Sequence, residues 1–133
     1  IYGSTKYLEK YGIPKTINDL GKHKFISFGR GAPSPVFNPD WALKLGVKDN
    51  KKRKTVMKVN SVMGLLLAVE SGVGLAALPD YLVSLSRNVI KVLPNVEGPI
   101  TEAHFVFPES LKNVARVTTF RNFLYSKISE FKS

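Results

Sequence analysis

Residues that could bind an anion occur at two points where a strand is predicted to end. Asn60 and Ser61 follow the apolar segment Thr55–Val59 and open a predicted helix. A helix start offers unpaired backbone N–H groups and the positive end of the helix dipole, which suit a carboxylate or another small anion. The loop Phe28-Gly29-Arg30-Gly31 ends another predicted strand, Lys24–Phe28, and offers backbone N–H groups and one guanidinium.

The two loops are expected to lie close together. Ligands of open α/β sheets favour the crevice at the carboxyl ends of the strands, and both segments occupy such ends. Each feature also has a plainer interpretation. Ser61 could be only a helix cap, worth about 1 kcal/mol. Arg30 could be an ordinary residue of a surface loop.

Residues for catalysis are scarce. The chain has two histidines, ten acidic residues and no cysteine, so a thiolate nucleophile and a disulfide framework are both excluded. The acidic residues are scattered singly, and neither a zinc-protease motif nor a nucleophile elbow occurs. His23 is expected to be a surface residue favoured by a helix C-terminus, and His104 is expected to have a structural role within a strand. The sequence therefore predicts a binding protein that is not an enzyme and carries no metal or cofactor.

A glycine pattern at Gly72-Val73-Gly74 fits the dinucleotide fingerprint by letter but not by context. That fingerprint needs a strand before the glycines and a helix after them, so that the helix start meets the pyrophosphate. Here the predicted helix Val62–Val69 comes first and the apolar segment Leu75–Leu78 comes last. The glycines therefore lie at the negative end of a helix, and we interpret them as a tight turn.

The remaining pattern alternates helices and strands, which predicts an α/β fold with a mixed sheet. Ser4 is a candidate cap for a helix over Thr5–Tyr11, and Thr16 with Asp19 resembles a capping box. Trp41–Val47 and Thr55–Val59 are predicted to form a hairpin. A further strand is predicted at residues 103–107. A final amphipathic helix is predicted from apolar residues spaced three and four apart, namely Val114, Val117, Phe120, Leu124, Ile128 and Phe131.

The overall composition sets the remaining bounds. The 133 residues suffice for one domain, and no apolar run reaches the roughly 20 residues of a membrane helix. Ile1 is not an initiator methionine, which indicates a fragment. A net charge of +10 would attract polyanions nonspecifically. The run Lys51–Lys54 could follow a phosphate backbone, but it contains no aromatic residue for stacking, so we favour a solvated turn.

One long segment resembles a known family. The run NSVMGLLLAVESGVGLAALPDYL at residues 60–82 resembles the effector-binding domain of LysR-type transcriptional regulators. Upstream, the resemblance extends to Gly3-Ser4, Tyr7-Leu8, Tyr11-Gly12, Pro14, Asp19-Leu20, His23 and Trp41. Downstream, it extends to Val92-Leu93-Pro94, Phe105–Pro108 and Val117–Leu124.

The resemblance implies a lobe like those of periplasmic binding proteins, with a mixed, mostly parallel sheet flanked by helices. Residues 1–100 would form the second lobe, and residues 101–133 would be the strand and helix that return to a mostly absent first lobe. A small effector would bind in the cleft between the lobes. The implied effector-binding residues are Ser27, Phe28, Gly29, Arg30, Asn60, Ser61 and Val62.

The resemblance also implies partners and a location. The full-length protein would be a cytoplasmic bacterial regulator that binds DNA through an N-terminal winged helix-turn-helix absent from this chain. Because the returning strand and helix would expose an apolar face without their lobe, we expect a homo-oligomer. The alternative is a periplasmic-type solute-binding protein of a transporter, which shares the architecture.

Overall fold

The computed structural model describes residues 1–29, 38, 40–48, 51–100, 102 and 104–130. The chain forms two compact units, Ile1–Thr101 and Glu102–Ser133. The first unit is a sheet with helices on both faces, and the second is built around one long helix. The assignment of these parts to two lobes of an effector domain remains a prediction.

Four short strands form the sheet: β1 (Tyr2–Ser4), β2 (Phe25–Phe28), β3 (Thr55–Val59) and β4 (Val89–Lys91). β1 pairs with β4 in antiparallel register, and β2 pairs with β3 in parallel register.

The predicted strand at Leu75–Leu78 is reduced to two residues that join these pairs. The N–H of Tyr2 donates to the Ala76 carbonyl and the N–H of Ile26 donates to the Leu75 carbonyl, both at 2.8 Å. The resulting order is β4, β1, residues 75–76, β2 and β3. The sheet is therefore mixed, as predicted.

Helices α3 (Val62–Glu70) and α4 (Asp80–Val83) cover one face of the sheet. Leu65, Leu66 and Val69 of α3 form a core cluster with Ile26 and Phe28 of β2, among other residues. α3 carries apolar side chains on most of its circumference. Only the side that faces the sheet is fully buried.

The opposite face is covered by α1 (Thr5–Tyr11), a 3₁₀ turn (Asn18–Lys22) and α2 (Trp41–Lys44). Tyr7, Leu20 and Phe25 are among the residues of this second core cluster, and each is at least 99% buried. Side chains of successive strand residues point to opposite faces, which is why Phe25 and Ile26 belong to different clusters. The first unit is thus a three-layer α/β/α arrangement.

The structure confirms the predicted helix caps and the predicted helix-ending glycine, which depend on hydrogen bonds between residues close in sequence. The Ser4 hydroxyl accepts from the N–H of Tyr7 at 3.3 Å and caps α1. The Asp19 carboxylate accepts from the N–H of Thr16 at 2.9 Å, while the Thr16 hydroxyl accepts from the N–H of Asp19 at 3.3 Å. This reciprocal pair is a capping box with aspartate in the usual glutamate position. Gly72 has φ +78°, the left-handed conformation expected at a helix end.

The predicted hairpin is wrong. Trp41–Lys44 is helical, and β3 pairs with β2 rather than with the segment before it. Arg53 accounts for part of the difference, because its guanidinium donates to the carbonyls of Ala42 at 3.2 Å and Leu45 at 2.5 Å. These carbonyls at the end of α2 have no partner within the helix, so the half-buried guanidinium supplies one. The basic run is therefore partly folded against the protein.

The second unit contains a 3₁₀ turn (Glu109–Leu111) and α5 (Ala115–Glu130). The predicted strand at residues 103–107 is wrong for the four of these residues that are described, 104–107, which carry no strand. A strand needs a neighbour for its backbone groups, and here Phe105 instead packs its ring 5.7 Å from that of Phe120. No residue of α5 is buried, and Phe120 is 51% exposed.

Across the described ranges, no helix is both long and apolar enough to cross a membrane.

Candidate functional site

The structure brings together the two strand ends that the sequence analysis singled out. Phe28 of β2 lies opposite Val59 of β3, and the next N–H, that of Gly29, donates to the Val59 carbonyl at 2.8 Å. The chain then passes from Val59 through Asn60 and Ser61 directly into α3. We call the surface formed by Gly29 and Asn60–Met63 the β2/β3 corner. Arg30, the remaining candidate, lies outside the described residues.

Ser61 is the N-cap of α3. Its backbone is extended (φ −135°, ψ 135°), and its hydroxyl oxygen accepts from the N–H of Gly64 at 3.3 Å. The plainer interpretation of Ser61 as a cap is therefore correct as far as it goes. Because the oxygen acts as the acceptor, the hydroxyl hydrogen remains available to a ligand. The N–H groups of Val62 and Met63 have no acceptor within the helix.

Exposure divides the described candidates into three groups. Ser27 and Phe28 are 5% and 8% exposed, and Phe28 is part of the core that packs against α3. Gly29 and Val62 are half-buried, whereas Asn60 and Ser61 are exposed. The N–H of Gly29 is already used by the β-ladder. Among the described residues of the β2/β3 corner, the open donors therefore lie at the start of α3.

Two residues at or beside the corner were missed by the sequence analysis. Met63 lies in the first turn of α3 and is 47% exposed, so an apolar side chain borders the open donors. Gly64 lies one residue later, and a β carbon built on it would be 2.6 Å from Cγ1 of Val59. The only sequence signal for Gly64 was a glycine in an otherwise strongly helix-forming segment.

Several titratable groups of the described chain have partners or surroundings that indicate a structural role. The Tyr2 hydroxyl donates to the Asp80 carboxylate, which ties β1 to the start of α4. That hydrogen bond lowers the pKa of Asp80, and burial raises the pKa of Tyr2. Burial also lowers the pKa of His23, whose Nδ1 is buried without a partner. His104 pairs with Glu102 at 3.6 Å on the surface. Among the described residues, no cluster of three metal-binding side chains occurs.

A concave surface lies elsewhere on the first unit. It is a groove of about 410 Å³ between residues 13–17 and residues 91–96. Its walls are mainly apolar, with Lys15 and Lys91 among the polar residues. Lys91 is paired with Asp80 at 3.4 Å. None of the candidate residues named from the sequence lines this groove.

Open α/β sheets bind ligands at the carboxyl ends of their strands, and the β2/β3 corner lies at two such ends. The LysR substrate binding domain family matches residues 1–128, so the chain belongs to that family. A relative from Haemophilus influenzae (strain ATCC 51907 / DSM 11121 / KW20 / Rd), called an uncharacterized HTH-type transcriptional regulator, is 29% identical over 120 residues. That similarity covers 86% of this chain and 40% of the relative.

The chain thus spans about two fifths of the length of this curated relative. No solved structure matched it significantly. Family membership identifies a substrate-binding domain of the kind found in LysR-type regulators, as the sequence resemblance implied. It does not favour the alternative of a solute-binding protein that serves a transporter.

Proposed function

We propose that this domain binds a small anionic effector at the β2/β3 corner and thereby controls DNA binding by the full-length regulator. The observation that carries the proposal is the convergence of the β2 end, the β3 end and the start of α3. The Gly29–Val59 hydrogen bond of 2.8 Å fixes that convergence in the backbone. A backbone-defined corner holds its donors in place before the ligand arrives, which lowers the cost of binding.

An anion fits the corner better than a cation does. The Ser61 hydroxyl, the Asn60 side-chain amide and the N–H groups of Val62 and Met63 are all donors. They also lie at the positive end of α3, where a negative charge is stabilised by about 0.3–1 kcal/mol at an exposed site and up to about 2 kcal/mol when partly buried. The net charge of +10 favours the approach of an anion from a distance.

The remaining candidates have supporting roles in the proposal. Ser27 and Phe28 form the wall at the end of β2, with Phe28 anchored in the core. Gly29 closes the wall against β3. Arg30, a candidate by the family resemblance, is proposed to supply the countercharge for the anion because its guanidinium is cationic. Val62 is half-buried and contributes its backbone N–H more than its side chain.

The wider role of the protein is also a proposal. The relative's printed name, an HTH-type transcriptional regulator, and the family support a full-length protein that regulates transcription. We propose that it binds DNA through an N-terminal winged helix-turn-helix and acts in the cytoplasm. The proposed effector is a small molecule, and the chain neither inserts into membranes nor catalyses a reaction. We propose that the regulator is a homo-oligomer.

The association of the chain itself can be measured. α5 has no buried residue, and Phe120 and Phe123 are each more than half exposed. Apolar surface of this kind favours self-association. Light scattering on the purified chain should therefore show a mass that rises above 14.8 kDa with concentration. Phe123→Ser should reduce that rise, whereas Lys112→Ser on the same unit should not. A monomer at every concentration would contradict the proposal.

The binding proposal is tested by a thermal-shift screen of small carboxylates against the full-length protein. For each carboxylate that raises Tm, we expect Ser61→Ala to weaken binding by about tenfold, roughly the value of one charge-assisted hydrogen bond. The same substitution removes the cap of α3 and should cost about 1 kcal/mol of stability, so affinity is measured separately by calorimetry.

The matched control is Ser84→Ala. Ser84 is also exposed, and its hydroxyl donates to the Tyr81 carbonyl at 2.7 Å at the end of another helix. It should leave effector affinity within about twofold. Equal affinities for the Ser61→Ala and natural proteins would refute a role for Ser61 in binding.

A further inference from the structure

The packing of α3 against β3 leaves no room for a side chain at one position, Gly64. Val59 is the last residue of β3, α3 begins at Val62, and two residues connect them. A β carbon on Gly64 would lie 2.6 Å from Cγ1 of Val59 and 3.5 Å from the Cβ of Ser61. Carbon atoms in contact normally lie about 3.5–4.0 Å apart, so a side chain on residue 64 would displace either Val59 or the first turn of α3.

Glycine at this position works against helix formation. Glycine favours a helix less than alanine does, and Gly64 has no positive φ that would require it. What glycine provides here is therefore space. Val59 is β-branched, so its side chain has few alternative rotamers with which to avoid an added methyl group.

The same contact sets the geometry of the open donors. The N–H of Gly64 donates to the Ser61 hydroxyl oxygen at 3.3 Å, so the position of Gly64 orients the Ser61 side chain. The carbonyl of Val59 accepts from the N–H of Gly29 at 2.8 Å, so Val59 is fixed to the end of β2. A shift of α3 away from Val59 would therefore move Ser61 relative to Gly29.

We propose that Gly64 is a positioning residue of the effector site. Because residue 64 has no side chain, the first turn of α3 can pack closely against Val59. This packing aligns the Ser61 hydroxyl and the N–H groups of Val62 and Met63 with the end of β2. The inference rests on the proposed function, because it explains how the same corner is held ready for an anion. Gly64 acts through its neighbours and need not touch the ligand.

The experiment follows backbone amide chemical shifts of the isotope-labelled chain during titration with inorganic sulfate as the anion probe. In the natural chain, the amides of residues 61–63 should shift with sulfate. Gly64→Ala should weaken this binding by about fivefold or more, since poorly aligned hydrogen bonds lose most of their value. The double variant Val59→Ala/Gly64→Ala should recover affinity to within about twofold of the natural chain. Alanine at position 59 lacks the Cγ1 methyl group with which the new β carbon of residue 64 would collide.

Stability separates positioning from a general structural defect. Val59→Ala removes apolar contacts, so the double variant should unfold more easily than the natural chain while its sulfate affinity recovers. The matched control is Gly21→Ala, since a β carbon on Gly21 meets nothing within 4 Å. It should leave sulfate affinity within about twofold.

Each unfavourable outcome has a distinct meaning. Sulfate shifts in the natural chain with equal affinity in Gly64→Ala would overturn the inference about Gly64 alone. A Gly64→Ala defect that Val59→Ala does not rescue would also overturn it, because the Val59 contact would not be the cause. No shift at residues 61–63 in the natural chain at any sulfate concentration would overturn the proposed anion site and this inference together.

Discussion

Replacing Met63 by aspartate should weaken anion binding by about tenfold or more while leaving α3 slightly more stable. The new carboxylate would lie in the first turn of the helix, where a negative charge interacts favourably with the dipole and with the N–H groups of Val62 and Met63. It would therefore occupy the donors that the effector needs. Met63 is 47% exposed, so the substitution removes little core packing.

Affinity and stability are expected to move in opposite directions in this variant, which a destabilised protein would not show. Calorimetry with the carboxylate found in the thermal-shift screen measures the first quantity, and urea unfolding measures the second. Leu67→Asp is the control, because Leu67 lies one turn further along α3 and is 55% exposed. It should leave affinity within about twofold, since the dipole effect falls off beyond the first turn. Unchanged affinity in Met63→Asp would argue against binding at the start of α3.

Gly74→Ala should destabilise the first unit by about 2–3 kcal/mol, the upper range for overpacking in a core. A β carbon on Gly74 would lie 2.6 Å from the Lys24 carbonyl oxygen and 3.0 Å from the Lys24 carbonyl carbon. These are backbone atoms that a rotamer change cannot move. The same carbonyl accepts from the N–H of Leu75 at 2.8 Å, so the added methyl group would break the link between residues 75–76 and β2.

Urea unfolding followed by circular dichroism measures this loss, with Gly21→Ala as a control that should stay within about 0.5 kcal/mol of the natural chain. A destabilisation of Gly74→Ala below that limit would show that the close approach of these backbones is unnecessary. The prediction also separates the two interpretations of the glycine pattern. A nucleotide-binding turn would need its glycines for a phosphate, whereas here Gly74 is needed for contact between two segments of the sheet.

The sequence predicted best those features that depend on neighbouring residues. The cap at Ser4, the capping box of Thr16 and Asp19, and the left-handed Gly72 each involve residues at most three positions apart. Their hydrogen bonds follow from side-chain type and local spacing, so no tertiary information is needed. The helix at Val62–Glu70 is also local, because its apolar content and its cap both favour it.

Predictions failed where a distant segment decided the outcome. The hairpin was wrong because β3 found its partner in β2, about thirty residues earlier in the chain, and because Arg53 stabilises the helical turn at Trp41–Lys44. The strand predicted at residues 103–107 is not formed by the four of them that are described, since an apolar segment becomes a strand when an edge is available to pair with it.

The proximity of the two strand ends was predictable, whereas the availability of their hydrogen-bond donors was not. Strand ends and a helix start were visible in the sequence, and the structure places Gly29 against Val59 as parallel pairing requires. The use of the Gly29 N–H by the β-ladder was not visible, because it depends on the register between β2 and β3. The close packing of Gly64 against Val59 could not be predicted from the sequence either, since it depends on how α3 packs against the sheet.

A crystal structure of the full-length protein with the carboxylate from the screen tests the central claim most directly. We expect a carboxylate oxygen about 2.7–3.2 Å from the Ser61 hydroxyl or from the N–H of Val62 or Met63. A carboxylate bound in the groove between residues 13–17 and 91–96, with the β2/β3 corner occupied by water, would contradict the account.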